Sequence, residues 1–173
     1  MRVSGGRRLV YPCSGVRPTK AITRQAIFNV LGEAVKCARV LDLFAGGGAL
    51  GIEAISRGAV AAVFVESSDR VVKYLRENLR GLDMVEVVRG NVFAVLPRLK
   101  EKEFDIVFAD PPYSRGLAER TVVAVARYNI VRITGWLVIE HSKDDTPVTP
   151  AGWEKMKEKA YGESMITFFR RQK

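Results

Sequence analysis

From Val40 onward, short apolar runs alternate with stretches whose apolar residues recur at helical spacing, and few folds accept that pattern. Residues 40–44, 61–65, 85–88, 104–109 and 136–139 read as buried strands. Residues 50–57, 69–80, 92–99 and 117–128 read as the helices between them, with Gly58 and Gly81 following the first two. Strands separated by helices mean βαβ units and a mainly parallel sheet, so an α/β chain is expected. Beyond Pro147 and Pro150 the pattern changes, and residues 153–161 and 165–170 flank Gly162 as a terminal antiparallel pair.

The start of the chain is different. Residues 1–16 hold Gly5, Gly6, Pro12 and Gly15 without helical period and read as a short hairpin or extended arm. Thr19 is placed to cap a helix carrying Ile22, Ala26, Ile27, Val30 and Leu31 on one side. With 173 residues and no linker or repeat, a single domain is expected over 1–173, an arm at 1–16 and a catalytic core at 17–173.

Charge adds a partner class. Twenty-eight Lys and Arg against 19 Asp and Glu give a net charge of +9. Arg2, Arg7, Arg8, Arg17, Lys20 and Arg24 all precede Glu33, the first acidic residue. An acid-free basic arm suits a phosphate-bearing partner. Arg7, Arg8, Arg17, Lys20 and Arg24 are the candidate nucleic-acid-binding residues. Cys13 and Cys37 lack metal-binding spacing and His141 is the lone histidine, so no metal site is expected and both thiols read as reduced and structural. No apolar run reaches the roughly 20 residues that span a bilayer, and a cytoplasmic monomer without membrane attachment is expected.

Two motifs carry chemistry. The segment from Val40 to Gly51 runs from a strand through Gly46, Gly47 and Gly48 into a helix. Glycines there let the backbone turn tightly against a ligand. Glu66 ends the second strand at the separation expected of an acid gripping ribose hydroxyls, which suits NAD and S-adenosylmethionine alike. Asp42 favours the second, since a carboxylate meets the cationic methionine end well and a pyrophosphate badly. Asn91, after the third strand, suits an adenine edge or a helix N-cap.

The second motif is Asp110-Pro111-Pro112-Tyr113, directly after the fourth strand. The lone pair of an exocyclic amine on a base is delocalised into the ring. Acceptors aimed at its N–H groups favour the pyramidal nitrogen needed for attack. Asp110 supplies one acceptor and the Pro111 carbonyl a second, while Tyr113 offers a face for stacking the base. Glu140-His141 reads as packing or surface, and Trp136 and Trp153 as core or hairpin packing.

The chain resembles the bacterial methyltransferases that modify N2 of a guanine in small-subunit (16S) ribosomal RNA. The resemblance rests on Arg17-Pro18-Thr19, Arg24 through Leu31, Leu41 through Gly46, Gly51 through Ala54, Ser56 through Ala59, Asp110 through Tyr113, and Tyr161 through Met165. It implies a class I S-adenosylmethionine-dependent methyltransferase (Rossmann-like) fold, S-adenosylmethionine as donor, and ribosomal RNA as substrate, free or within the assembled small subunit. By that analogy Asp42, Phe44, Gly46, Gly48, Glu66 and Asn91 line the cofactor site. Asp110, Pro111, Pro112 and Tyr113 form the catalytic segment. Gly47 departs from the family, which often has Ser or Thr there, and Gln25 stands where Glu is common. The rival readings are adenine-N6 methylation of DNA or another RNA, an NAD-dependent oxidoreductase, and a non-catalytic RNA-binding module.

Overall fold

The computed structural model describes Gly6 and residues 8–12, 21–100, 103–113 and 116–173. Seven strands form one sheet: β1 (Arg39–Leu43), β2 (Ala61–Glu66), β3 (Val85–Arg89), β4 (Phe104–Ala109), β5 (Val131–Ser142), β6 (Trp153–Tyr161) and β7 (Ser164–Arg171). Their order is β3-β2-β1-β4-β5-β7-β6. β1 to β5 pair in parallel, and β7 lies antiparallel between β5 and β6. Five α-helices accompany them: α1 (Ala21–Leu31), α2 (Ala49–Ser56), α3 (Asp69–Asn78), α4 (Val92–Leu99) and α5 (Leu117–Arg127).

The central strands are apolar on both faces because helices cover both. Val40 of β1, Phe64 of β2 and Ile106 and Phe108 of β4 pack on the side of α1, α2 and α3. The alternating Leu41, Leu43, Val63, Val65 and Val107 pack on the side of α4 and α5. Asp42 breaks the apolar pattern of the first side, since it is a carboxyl side chain only 3% exposed and bonded to Gly51 of α2. The strand order reverses between β1 and β4, and in open sheets the crevice at such a point takes the ligand.

Three expectations need correction. The buried face of α1 is Thr23, Arg24, Ile27, Phe28 and Leu31, while Ile22 is 77% exposed. Phe28 sets this phase by packing its ring against Phe108, at 5.6 Å between centroids. Arg24 is therefore inside, not on an RNA-facing surface. Its Nε donates to Glu53 Oε2 at 3.1 Å, and Arg57 Nε donates to Glu53 Oε1 at 2.7 Å. Second, β5 is far longer than residues 136–139, because exposed Arg132, Ile133 and Thr134 hide its first half from an apolar pattern. Gly135 belongs there: a Cβ would lie 2.8 Å from the Asp105 carbonyl. Third, Cys37 is exposed rather than structural. Arg7, Cys13, Arg17, Thr19 and Lys20 lie outside the described residues, as does much of the expected hairpin. Residues 9–12 run without regular structure, with Leu9 buried in the core. Among the described residues no helix is long and apolar enough to cross a membrane.

Candidate active site

The glycine turn leaves β1 through Phe44, whose φ of 56° is rare for an aromatic residue. Strain of this kind gathers where a site needs it. Gly46 and Gly48 also have positive φ, 54° and 81°. Gly51, in the first turn of α2, is a position where no side chain fits: a Cβ would come within 2.3 Å of the Phe64 ring. With no Cβ in the way, its N–H donates to Asp42 Oδ2 at 2.9 Å. Burial pushes the Asp42 carboxyl up to about 8, opposed by that hydrogen bond and reinforced by Asp110 and Glu66. At neutral pH the ligand-free group is thus largely protonated. A cation alongside would draw it back to the carboxylate.

Glu66 closes β2 and ties two loops together. It accepts from Gly46 N–H at 3.0 Å and from Ser68 N–H at 2.8 Å. A carboxylate has about four lone-pair directions, so room for ribose hydroxyls remains. Phe44, Val65, Glu66, Ser67, Asn91 and Val92 line a small pocket that opens to solvent. Asn91 Oδ1 caps α4 by accepting from Phe93 N–H at 2.9 Å. Its Nδ2 has no partner among the described residues and keeps donors for a ligand. An aromatic wall, a carboxylate and a carboxamide suit a nucleoside. Phe93 backs the wall, edge-on to Phe44 and beneath the Arg120 guanidinium at 3.9 Å.

On the other side of β1, the register pairs Leu43 with Ala109, which sets Asp110 beside Phe44 as both strands end. Asp110 is half-buried, Pro111 buried, Pro112 exposed, and Tyr113 46% exposed. The Tyr113 hydroxyl is anchored on both sides. It bonds Glu140 Oε1 of β5 at 2.8 Å and makes a very short contact with Ser164 Oγ of β7. The carboxylate can only accept, so Tyr113 donates to Glu140 and Ser164 donates to Tyr113. Burial pushes the phenol up to about 12, which keeps it a donor throughout the physiological range. Glu140 is therefore more than packing or surface. His141 is buried, with Nδ1 on the Ser142 carbonyl and Nε2 on Thr167 Oγ1, each at 2.8 Å.

The sequence profile described as Conserved hypothetical protein 95 matches residues 1–170. The chain belongs to this family. Among curated relatives it is similar to Ribosomal RNA small subunit methyltransferase D of Escherichia coli (strain K12), at 36% identity over 177 residues, spanning 96% of this chain and 86% of that one. Among solved structures it superimposes on yhhF from Escherichia coli with a TM-score of 0.90 at 33% identity, over 99% of this chain and 98% of that one. A Streptococcus mutans protein described as a candidate SAM-dependent methyltransferase shares the fold at 13% identity and a TM-score of 0.73, over 88% of this chain and 49% of its own. This chain thus has the class I methyltransferase fold expected of it. The sheet brings Phe44, Glu66 and Asn91 to one pocket; Gly46 is bonded to Glu66 there, Asp42 lies buried beneath the turn on Gly51, and Asp110 to Tyr113 start beside Phe44. It does not bring Arg24 there as a surface cation. Sequence reading missed Ser67, Glu140 and Ser164. In the sequence Glu140 reads as packing or surface, and Ser164 stands within the Tyr161 to Met165 stretch without a role of its own.

Proposed function

We propose that this chain transfers a methyl group from S-adenosylmethionine to the exocyclic N2 amine of a guanine in small-subunit ribosomal RNA. The observation that carries the reading is the position of Asp110-Pro111-Pro112-Tyr113 at the end of β4, against the glycine turn at the end of β1. When bound, S-adenosylmethionine supplies an electrophilic methyl on a sulfonium centre. Glu66 holds the ribose, Asn91 and the Phe44 wall hold the adenine, and Asp42 faces the cationic methionine end.

Asp110 accepts an N–H of the target amine, and the Pro111 carbonyl accepts the other. The lone pair would thereby be freed to take the methyl from the sulfonium, leaving S-adenosylhomocysteine, and the surplus proton on nitrogen would pass to the Asp110 carboxylate and on to water. Tyr113 stacks the base, worth about 1–3 kcal/mol, on a ring held by Glu140 and Ser164. Holding nitrogen and methyl in line is where most of the acceleration arises. Arg8 is exposed, and with Arg7 of the arm and Arg17 and Lys20 just after the arm it contacts RNA phosphates. The naming of the Escherichia coli relative supports ribosomal RNA as substrate.

The test is transfer of labelled methyl from S-adenosylmethionine to small-subunit particles, free small-subunit RNA and DNA, with the product nucleoside mapped by mass spectrometry. N2-methylguanine in the RNA, free or within the particle, is expected. Methyladenine in DNA, or no transfer to any of the three, would remove the reading.

A further inference from the structure

The arm meets the glycine turn at Tyr11. Val10 is clamped by the carboxamide of Asn78, itself 3% exposed. The Val10 N–H donates to Asn78 Oδ1 at 2.8 Å, and Asn78 Nδ2 donates to the Val10 carbonyl at 2.9 Å. The same Nδ2 donates to the Gly47 carbonyl at 2.9 Å. One buried side chain therefore fixes arm and turn relative to each other.

Tyr11 follows with its ring over Gly47. A Cβ on Gly47 would lie 2.3 Å from Tyr11 Cε1 and 2.8 Å from Cζ. This accounts for the departure at that position: a Ser or Thr there would strike the ring. The Tyr11 hydroxyl is buried and has no hydrogen-bond partner among the described residues. Burial pushes the phenol up to about 12, with the Arg24 guanidinium opposing the rise and Asp42 adding to it. The hydroxyl is thus a proton donor in the field of both groups, at the end of β1. A buried donor left unpaired is uncommon in native proteins and calls for a partner. The nucleoside pocket lies over β2 and β3 and Asp110 over β4, so the place beside Gly47 and Asp42 falls to the amino-acid end of the cofactor.

We propose that Tyr11 is a cofactor ligand whose hydroxyl donates to the α-carboxylate of the methionine end, so that cofactor occupancy fastens the basic arm to the core. This rests on the S-adenosylmethionine reading above. A carboxylate is an acceptor alone, which is what an orphaned phenol lacks. Coupling of this kind is reciprocal: RNA that holds the arm down would tighten the cofactor.

The test compares S-adenosylhomocysteine with 5′-methylthioadenosine, which has the same nucleoside and no amino-acid end, by calorimetric titration of the full chain and of Tyr11→Phe. The variant keeps the ring and removes only the hydroxyl. S-adenosylhomocysteine affinity should fall about ten- to a hundredfold, as for a hydrogen bond to a charged group. Methylthioadenosine affinity should not change. The melting temperature of the ligand-free protein should hold or rise, since the lost hydroxyl had no partner. Unchanged S-adenosylhomocysteine affinity, equal losses for the two ligands, or a drop in ligand-free melting temperature would each overturn the role of Tyr11. A wild-type chain that binds neither ligand would overturn the cofactor reading itself, and this inference with it.

Discussion

At the nucleoside end of the crevice, Glu66 reaches back 20 residues to Gly46 and forward two to Ser68, and Asn91 caps a helix two residues on. At the base end, Tyr113 depends on Glu140 and Ser164, which lie 27 and 51 residues away on different strands. The first end is wired mainly by its own local backbone. The second exists only once three separate parts of the chain have met. Under the function proposed above, the locally wired end would receive a small molecule and the tethered, half-exposed Tyr113 a nucleotide swung out of a large RNA.

That division can be broken at its sharpest point with Asp110→Ala. Methyl transfer should fall by at least about a hundredfold, the usual cost of losing a partner aimed at the reacting group. S-adenosylhomocysteine affinity, measured by calorimetry, should hardly move. Equal losses in both would mean that Asp110 serves the cofactor instead.

Glu66→Ala should show the opposite pattern, lowering nucleoside affinity about ten- to a hundredfold through lost charge-assisted hydrogen bonds. Because Glu66 also holds Gly46 and Ser68, the melting temperature should fall, by about 2–4 °C for each kcal/mol lost. A titration with 5′-methylthioadenosine that finds wild-type affinity would take the residue out of the nucleoside site.

The cofactor bed has a charge switch that the base platform lacks. Asp42 is held up at about 8 in the ligand-free protein, and a cationic ligand binds its ionised form. Affinity for S-adenosylmethionine should therefore climb from about pH 6 to about 7.5, approaching tenfold per unit, while methylthioadenosine stays flat. The same raised value makes ionised Asp42 a burden on the fold. Its stabilising share is present below the ordinary carboxylate range and lost as pH rises towards 8, so Asp42→Asn should raise the melting temperature more at pH 8 than at pH 5. A pH-independent difference between the two proteins would show that Asp42 does not titrate there.

The smallest effect belongs to the platform's tether. Ser164→Ala removes one of two anchors from Tyr113 and should lower transfer about two- to tenfold, with cofactor affinity intact and activity restored by Ser164→Thr. Threonine failing to rescue would make Ser164 a packing residue rather than a positioning one.

The unequal wiring also explains what could be read from the chain beforehand. The bounds of α4 and β4 stood in the apolar pattern itself, because each is a run whose burial depends on its own face, whereas those of β6, exposed along most of its length, were marked by the prolines before it and Gly162 after it. The glycine turn, Glu66 and Asp110 were legible for the same reason, as each sits at the end of such a run. Glu140, Ser164 and Tyr11 were not. Their roles come from side chains that meet across strands far apart in sequence, and no period encodes such a meeting. The first half of β5 was hidden by solvent-facing side chains, and Arg24 misled because a buried cation paired with Glu53 looks, in a string of letters, like any other basic residue.

The place of β7 in the sheet has a consequence for the order in which the molecule is made. It is the last strand in sequence and yet an interior one, flanked by β5 and β6. Until its residues have left the ribosome, β5 presents an unpaired edge backed by the buried Leu137, Val138 and Ile139. The residues that line the nucleoside pocket all stand at or before Val92, far ahead of β7 in the chain. The pairing of β7 with β5 closes this edge and is also the step that supplies Ser164 to Tyr113.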